Sequence, residues 1–275
     1  MEQKKWFGFS QDLVFGEVMK NKKFCKYVIQ ATIPTLYDFE IISIESQKEF
    51  KGTDAKEKGV RLDILVKNND GDLFDIEMQN ANEYNLGKRM RYYQSRMDTF
   101  ALDSGSTYNE LKKTYIIFLC MFDYFNQGKA IYTFHEYEDS NKGLQLDTAS
   151  TKIIVNGAAT YVENNSKLLS IIKLMQGKSD FSNKYIDYAL EKIAQINNDP
   201  KKRRAIMEYE TRLLEREQYG EQKGIKQGAV DTLALSKKIK YLKSQGLTDE
   251  EIYHRYMGNS SLSSEQLKEL ITLIN

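Results

Sequence analysis

Val60-Arg-Leu-Asp-Ile-Leu-Val66 and Asp72-Leu-Phe-Asp-Ile-Glu-Met-Gln79 are two apolar, β-prone runs separated by Lys67-Asn-Asn-Asp-Gly71. Asp-Gly between two such runs is a strong β-hairpin signal, because glycine accepts the positive φ that the turn requires. Strand side chains alternate between faces, so Glu77 and Gln79 point the same way. A hairpin turning near Asn69-Asp70 pairs positions whose numbers sum to about 139 or 140. Asp63 is then directly or diagonally opposite Glu77, and a shift of one residue would change the face it shows. Two carboxylates and an amide can thus converge on one face of two adjacent strands.

Carboxylates at that range repel unless a cation lies between them, and hard oxygen donors with open positions suit Mg2+ or Mn2+. Ile64, Val66, Ile76 and Met78 imply that the hairpin lies inside a sheet, where acids are rarely buried without a partner. The ordinary alternative is a solvated strand face on which Asp63 and Glu77 pair with Arg61 or Lys67.

Working outward, apolar residues near helical spacing between Asp12 and Ile33 predict one or two short helices ending at Pro34. Ile41, Ile42 and Ile44 mark a weak strand between Phe39 and Glu45. After the hairpin, Leu86, Met90, Tyr93, Met97 and Phe100 recur at helical steps, with Lys88, Arg91 and Gln94 on the opposite face. Lys113 to Met121 reads as a strand buried on both faces, and Ala130 to Glu138 and Ser150 to Asn156 as further strands. This order predicts an α/β domain over residues 1–160, with helices packed on one central mixed sheet.

Residues 161–275 read as an all-helical region. Helices are expected over Leu168 to Met175, Tyr185 to Ile196, Lys201 to Tyr219, Leu233 to Gln245, Leu247 to Met257 and Ser263 to Ile274. Asp199-Pro200 is an N-cap followed by proline at the first helical position, and Thr248-Asp-Glu-Glu251 has the form of a capping box. Lys201-Lys-Arg-Arg204 is either a solvated face or a phosphate contact. Gly220, Gly224 and Gly228, four apart among polar neighbours, predict a flexible or oligomerising helix and exclude a membrane-spanning one. A homo-oligomer through the C-terminal helices is the expectation that follows.

The 275 residues carry 40 basic and 39 acidic side chains, a net charge of +1. That balance excludes a uniformly basic coat and an acidic tail protein. Cys25 and Cys120 read as buried free thiols, and His135 and His254 are too isolated for a zinc site. No apolar segment follows Met1-Glu-Gln-Lys-Lys-Trp6, and the longest apolar run, Tyr115 to Phe122, falls far short of the ~20 residues that span a bilayer. A cytoplasmic protein without membrane partners is expected.

Lys58-Gly-Val-Arg-Leu-Asp63, the hairpin, and Phe74-Asp-Ile-Glu-Met-Gln79 together resemble the core motif of the PD-(D/E)XK nuclease superfamily. More closely, they resemble the Rpn-type recombination-promoting nucleases, a transposase-like group whose motif is D…ExQ rather than D…ExK. Asp12-Leu-Val-Phe15 resembles the group's opening Asp-x-x-Phe, and Arg89 to Tyr93 its Arg-x-x-Tyr-Tyr stretch. Gly105-Ser-Thr-Tyr108 and Leu111-Lys-Lys-Thr-Tyr-Ile116 resemble the segment leading to its next strand. The resemblance spans roughly residues 8 to 160 and implies a restriction-endonuclease-like core.

It also implies Mg2+-dependent (or Mn2+-dependent) hydrolysis of DNA phosphodiester bonds, associated with recombination or mobile elements. Asp63, Glu77 and the Met78 carbonyl would hold the cation, and Gln79 would stand where the ExK version has lysine. Gln79 orients a water but brings no positive charge, which leaves Arg89 or Lys58 to supply it. Asp12 and Glu17 are candidates for an accessory acid from the first helix, Asp12 being alternatively that helix's N-cap. Lys58, Lys88, Arg89, Arg91 and Arg96 form the expected DNA-backbone face. The rival reading is a catalytically weak or inactive DNA-binding or assembly protein that retains the nuclease fold.

Overall fold

The computed structural model describes residues 5–51, 58–178, 183–259 and 262–274. The chain divides into two compact units, one running to Arg203 and one starting at Arg204.

The first unit holds α1 (Asp12–Met19), α2 (Lys22–Thr32), β1 (Ile41–Phe50), β2 (Val60–Asn68), β3 (Leu73–Gln79), α3 (Leu86–Ala101), β4 (Thr114–Cys120), β5 (Ile131–Phe134), β6 (Ser150–Asn156), α4 (Ser166–Met175) and α5 (Lys184–Asn198). Its six strands form one mixed sheet in the order β1-β2-β3-β4-β6-β5. β1, β2 and β3 run antiparallel, β3, β4 and β6 run parallel, and β5 returns antiparallel to β6.

The turn of the central hairpin follows from its residues. Asn68 Oδ1 accepts from the backbone N–H of Asp70 (3.0 Å) and of Asp72 (2.7 Å), and Gly71 takes the left-handed conformation at φ 87°. β3 and β4 are buried along their whole length because each has a strand on both sides and helices over both faces. On one face, Leu65, Leu73, Ile116, Phe118 and Ile154 pack with Leu86, Met90 and Met97 of α3. On the other, α1 lies against β2 and α2 against β1, with α4 and α5 packed on the first two helices.

α4 and α5 thus belong to the compact unit, which extends past the boundary near 160 expected from the loss of strand signals. A long-range pairing fastens its ends. Asn197 Oδ1 accepts from the Phe7 N–H and Asn197 Nδ2 donates to the Phe7 carbonyl, both at 2.9 Å. Arg203 donates to the Lys5 carbonyl and stacks over the Phe7 ring. One of the four basic residues at 201–204 is therefore buried by structure, which neither the solvated-face nor the phosphate reading anticipates. Asp199 caps the following helix as expected, accepting from the N–H of Lys201 at 2.8 Å.

Three local expectations are corrected. The strand expected over 130–138 ends at Phe134, after which Tyr137 bridges to Gln145 outside the sheet. Asp12 is the first residue of α1, not its cap; the Gln11 side chain accepts from the Val14 N–H. The glycine-spaced segment does not interrupt the helix. α6 (Pro200–Ser244) runs through Gly220, Gly224 and Gly228. A helical glycine costs only about 1 kcal/mol relative to alanine, and the strong helix formers on either side outweigh it.

In the second unit the last turns of α6 pack with α7 (Asp249–Tyr256) and α8 (Ser264–Leu273) around Ile239, Ile252, Leu267 and Ile271. Both short helices open on capping boxes, Thr248 with Glu251 and Ser263 with Gln266. No helix among the described residues is long and apolar enough to cross a membrane.

Candidate active site

The backbone pairing of β2 with β3 runs from Lys67–Leu73 to Ile64–Ile76, a register that sets Asp63 opposite Glu77. There the two side chains take over from the ladder. The Asp63 N–H donates to Glu77 Oε1 at 2.7 Å, and the Met78 N–H donates to Asp63 Oδ2 at 3.1 Å. Each carboxylate is thus held by the backbone of the opposite strand. On the far side of β2, Gln47 lies between the pairs Ser46–Ile64 and Lys48–Leu62 and has φ 54°. This irregularity coincides with a lapse in the inward alternation of β2, since Leu62 and Leu65 both join the α3-side cluster. Such kinks re-aim side chains beside sites.

Asp75, Glu77 and Gln79 alternate along β3 and lie beside Ile116, Phe118 and Cys120 of β4, under α3. Glu77 is 3% exposed and Asp75 0%. Neither Asp75 carboxylate oxygen has a hydrogen-bond partner among the described residues. Burial raises the pKa of all three acids. Asp63 is pushed up to about 6, by burial first and by the charge of Asp12 as well, against the opposing pull of the Met78 N–H. Glu77 rises well above the carboxylate range through burial and then through the charges of Asp75 and Asp63. Asp75 also rises well above that range, through burial first and the charge of Asp63 as well, against opposing pulls from its neighbours Glu77 and Arg89.

α3 contributes the nearby positive charge. Arg89 Nη1 donates to Gln79 Oε1 at 2.6 Å, and Nη2 donates to the Tyr93 hydroxyl at 3.1 Å and lies 3.6 Å from Glu77 Oε2. The guanidinium also sits over the Tyr93 and Phe118 rings, 5.4 and 5.2 Å from their centroids. Gln79 Nε2 donates to the Ala81 carbonyl at 2.7 Å, so both ends of the amide are engaged and its orientation is set.

The other candidates separate. Asp12 lies close enough for its charge to act on Asp63, and Asn80 Nδ2 ties the end of β3 to the Ser10 carbonyl just before α1. Glu17 instead pairs with Lys20, and its other charged neighbours are Lys192 and Lys202. The Met78 N–H is committed to Asp63, while its side chain is buried. The Lys58 carbonyl accepts from the Tyr92 hydroxyl, and Arg96 donates to the Lys51 carbonyl at 2.8 Å. Arg96 therefore holds the residue that follows β1. Lys88 and Arg91 are exposed on α3.

Two further participants have only weak signals in the sequence. Asp75 reads as one more strand residue, although Asp-x-Glu-x-Gln in an apolar strand puts three polar groups on one face. Tyr93 falls in the apolar stripe of α3, where nothing distinguishes a tyrosine that holds an arginine from one that fills a core. Phe100, from that same stripe, is half exposed and packs on Phe50 at the helix end.

Among the described residues no group of three or more His, Cys, Asp or Glu side chains is arranged to hold a metal ion. The chemistry of the donor set nonetheless fits a hard divalent cation. Two acids raised by burial and like charge stand where the β2–β3 pairing ends, with the buried carboxyl of Asp75 two residues before Glu77 on β3.

A mixed sheet flanked by helices, with its acidic pair at the end of an antiparallel hairpin beside parallel strands, defines a restriction-endonuclease-like α/β fold. Residues 7–218 match the model of the PD-(D/E)XK nuclease family transposases, and the chain belongs to that family. The match includes α4, α5 and the first part of α6, well beyond the motif-bearing region. No curated protein and no solved structure is significantly similar to the chain.

Proposed function

We propose that this nuclease-fold protein, linked by its family to mobile elements, is a Mg2+- or Mn2+-dependent endonuclease that hydrolyses phosphodiester bonds in DNA. The observation that carries the reading is the reciprocal bonding of Asp63 and Glu77 to the opposite strand. It fixes two desolvated acids side by side where their repulsion calls for a cation. Asp63, Glu77 and the Met78 carbonyl would hold the ion, with Asp12 the nearest further acid. Such an ion lowers the pKa of a bound water and offsets charge developing on phosphate.

The remaining work falls to the chain's own groups. Gln79 orients the attacking water through its fixed amide, and Arg89 supplies the positive charge that glutamine lacks. Lys58, Lys88 and Arg91 contact the DNA backbone, for which an overall charge of +1 suffices because attraction is local. Glu17, engaged with Lys20, has no part in the chemistry.

Nicking of supercoiled plasmid tests the reading. Cleavage is expected in Mg2+ or Mn2+ and not in EDTA. Cleavage that persists in EDTA would count against it. The second reading, a DNA-binding or assembly protein that has lost catalysis, draws on one observation: both ends of the Gln79 amide are already occupied. It predicts DNA binding without nicking under any metal.

A further inference from the structure

Five described non-glycine residues have φ in the left-handed region: Gln47, Tyr84, Asn126, Ala149 and Asn164. Asparagine tolerates that region, whereas a bulky aromatic pays a steric cost there. Tyr84 is the only aromatic among the five, at φ 55°. It is also 84% exposed, and its ring joins no ring stack or cation contact among the described residues. The fold thus bears the strain and the exposed apolar surface with no packing in return.

The position of Tyr84 explains why it is held there. It lies in the connection between Gln79, at the end of β3, and Leu86, at the start of α3. That connection is pinned at several points. Gln79 Nε2 donates to the Ala81 carbonyl, Asn80 Nδ2 donates to the Ser10 carbonyl at 2.9 Å, and Asn82 Oδ1 accepts from the Tyr84 N–H at 2.9 Å. The Asn82 contact is an Asx turn that fixes the strained backbone. Tyr84 stands five positions after Gln79, so their Cα atoms lie within about 18 Å of each other. Exposed Lys88 follows in the first turn of α3.

We propose that Tyr84 is a stacking platform for an unpaired base of the DNA, beside the phosphate at Asp63 and Glu77. The inference rests on the nuclease reading above and deepens it by naming the substrate class. An exposed ring on a fixed loop can stack only on a base whose face is accessible, so the substrate is single-stranded, frayed or flipped at that nucleotide. Intact duplex hides its base faces and gains nothing from the ring.

The test uses the full chain in EDTA, so that cleavage plays no part. Fluorescence anisotropy reports binding of a labelled single-stranded oligonucleotide and of its duplex, and a 2-aminopurine base within the single strand reports stacking by quenching. Tyr84→Ala is expected to lower single-strand affinity by about tenfold or more and to abolish the quench, leaving duplex affinity unchanged. Tyr84→Phe retains both signals. Tyr84→Gly relieves the backbone, so it melts no lower than wild type yet binds as poorly as Tyr84→Ala, which a structural role would not produce. The proposal is overturned if wild type does not bind or quench the single strand. It is equally overturned if Tyr84→Ala binds single strand as wild type does, or loses duplex and single strand alike. Failure of the nuclease reading appears separately, as absent nicking with the stacking signals intact.

Discussion

Arg89 Nη1 donates to Gln79 Oε1 at 2.6 Å while the same guanidinium stands 3.6 Å from Glu77 Oε2. On the proposed reading, this cation from the helix supplies the charge that a lysine on the strand would carry. Division of one role between two residues makes their substitutions non-additive. Arg89→Gln should lower the nicking rate about 100-fold or more, the scale of losing one preorganised electrostatic contact. Gln79→Lys alone should also lower it, because it removes an acceptor from Arg89 and sets two cations together. Gln79→Lys with Arg89→Gln should recover most of the rate. A double variant no faster than the Arg89 single variant would contradict the division.

Asp63 makes stability depend on pH in a definite direction. Its pKa rises from 3.8 to about 6 on folding. Between those values the unfolded chain has released the proton and the folded chain has kept it. Raising pH through that window therefore favours unfolding, and the effect is complete above 6. In EDTA, Asp63→Asn should gain stability relative to wild type by on the order of 2–3 kcal/mol between pH 4 and pH 7. Asparagine still offers an acceptor to the Met78 N–H. Urea denaturation at a series of pH values reads the difference, and a pH-independent one would show that Asp63 is not desolvated.

The acidic pair should bind a cation before any DNA is present. At neutral pH, Mg2+ or Ca2+ at about 100 times its dissociation constant should stabilise wild type by roughly 2.7 kcal/mol. Asp63→Asn and Glu77→Gln should both lose that increment. Thermal melts with and without the ion measure it, and equal shifts in wild type and variants would place the ion elsewhere.

Gly224 lies within α6 with nothing within 4 Å of an added Cβ. Gly224→Ala should therefore stabilise the helix by about 0.5–1 kcal/mol and raise its circular dichroism signal. A loss of stability would restore the flexible break that the glycine spacing suggests.

How far the sequence could be read depended on the range of the forces involved. The hairpin register was legible because Asp-Gly and strand alternation are local, and they placed Asp63 opposite Glu77. The succession of strands along the chain was legible from the same signals, but their order in the sheet, with β6 between β4 and β5, was not. The continuity of α6 was not legible, since three glycines weigh more in a local pattern than in a cooperative helix. Nor was the fastening of Phe7 by Asn197, which links residues 190 positions apart and leaves no periodic trace. At the site, the unpartnered burial of Asp75 and the grip of Arg89 on Gln79 depend on how α3 lies over β3. The spacing of Arg89 to Tyr93 hinted at a contact without saying which side chain it meets.

The most direct measurement is single-turnover nicking of supercoiled plasmid in Mg2+ by wild type and by Asp63→Asn, with circular dichroism spectra of both. Asp63→Asn keeps the acceptor for the Met78 N–H and so should keep the fold, while its nicking should fall to the level of wild type in EDTA. Undiminished nicking by a folded Asp63→Asn variant would contradict the assignment of the Asp63–Glu77 pair as the catalytic centre.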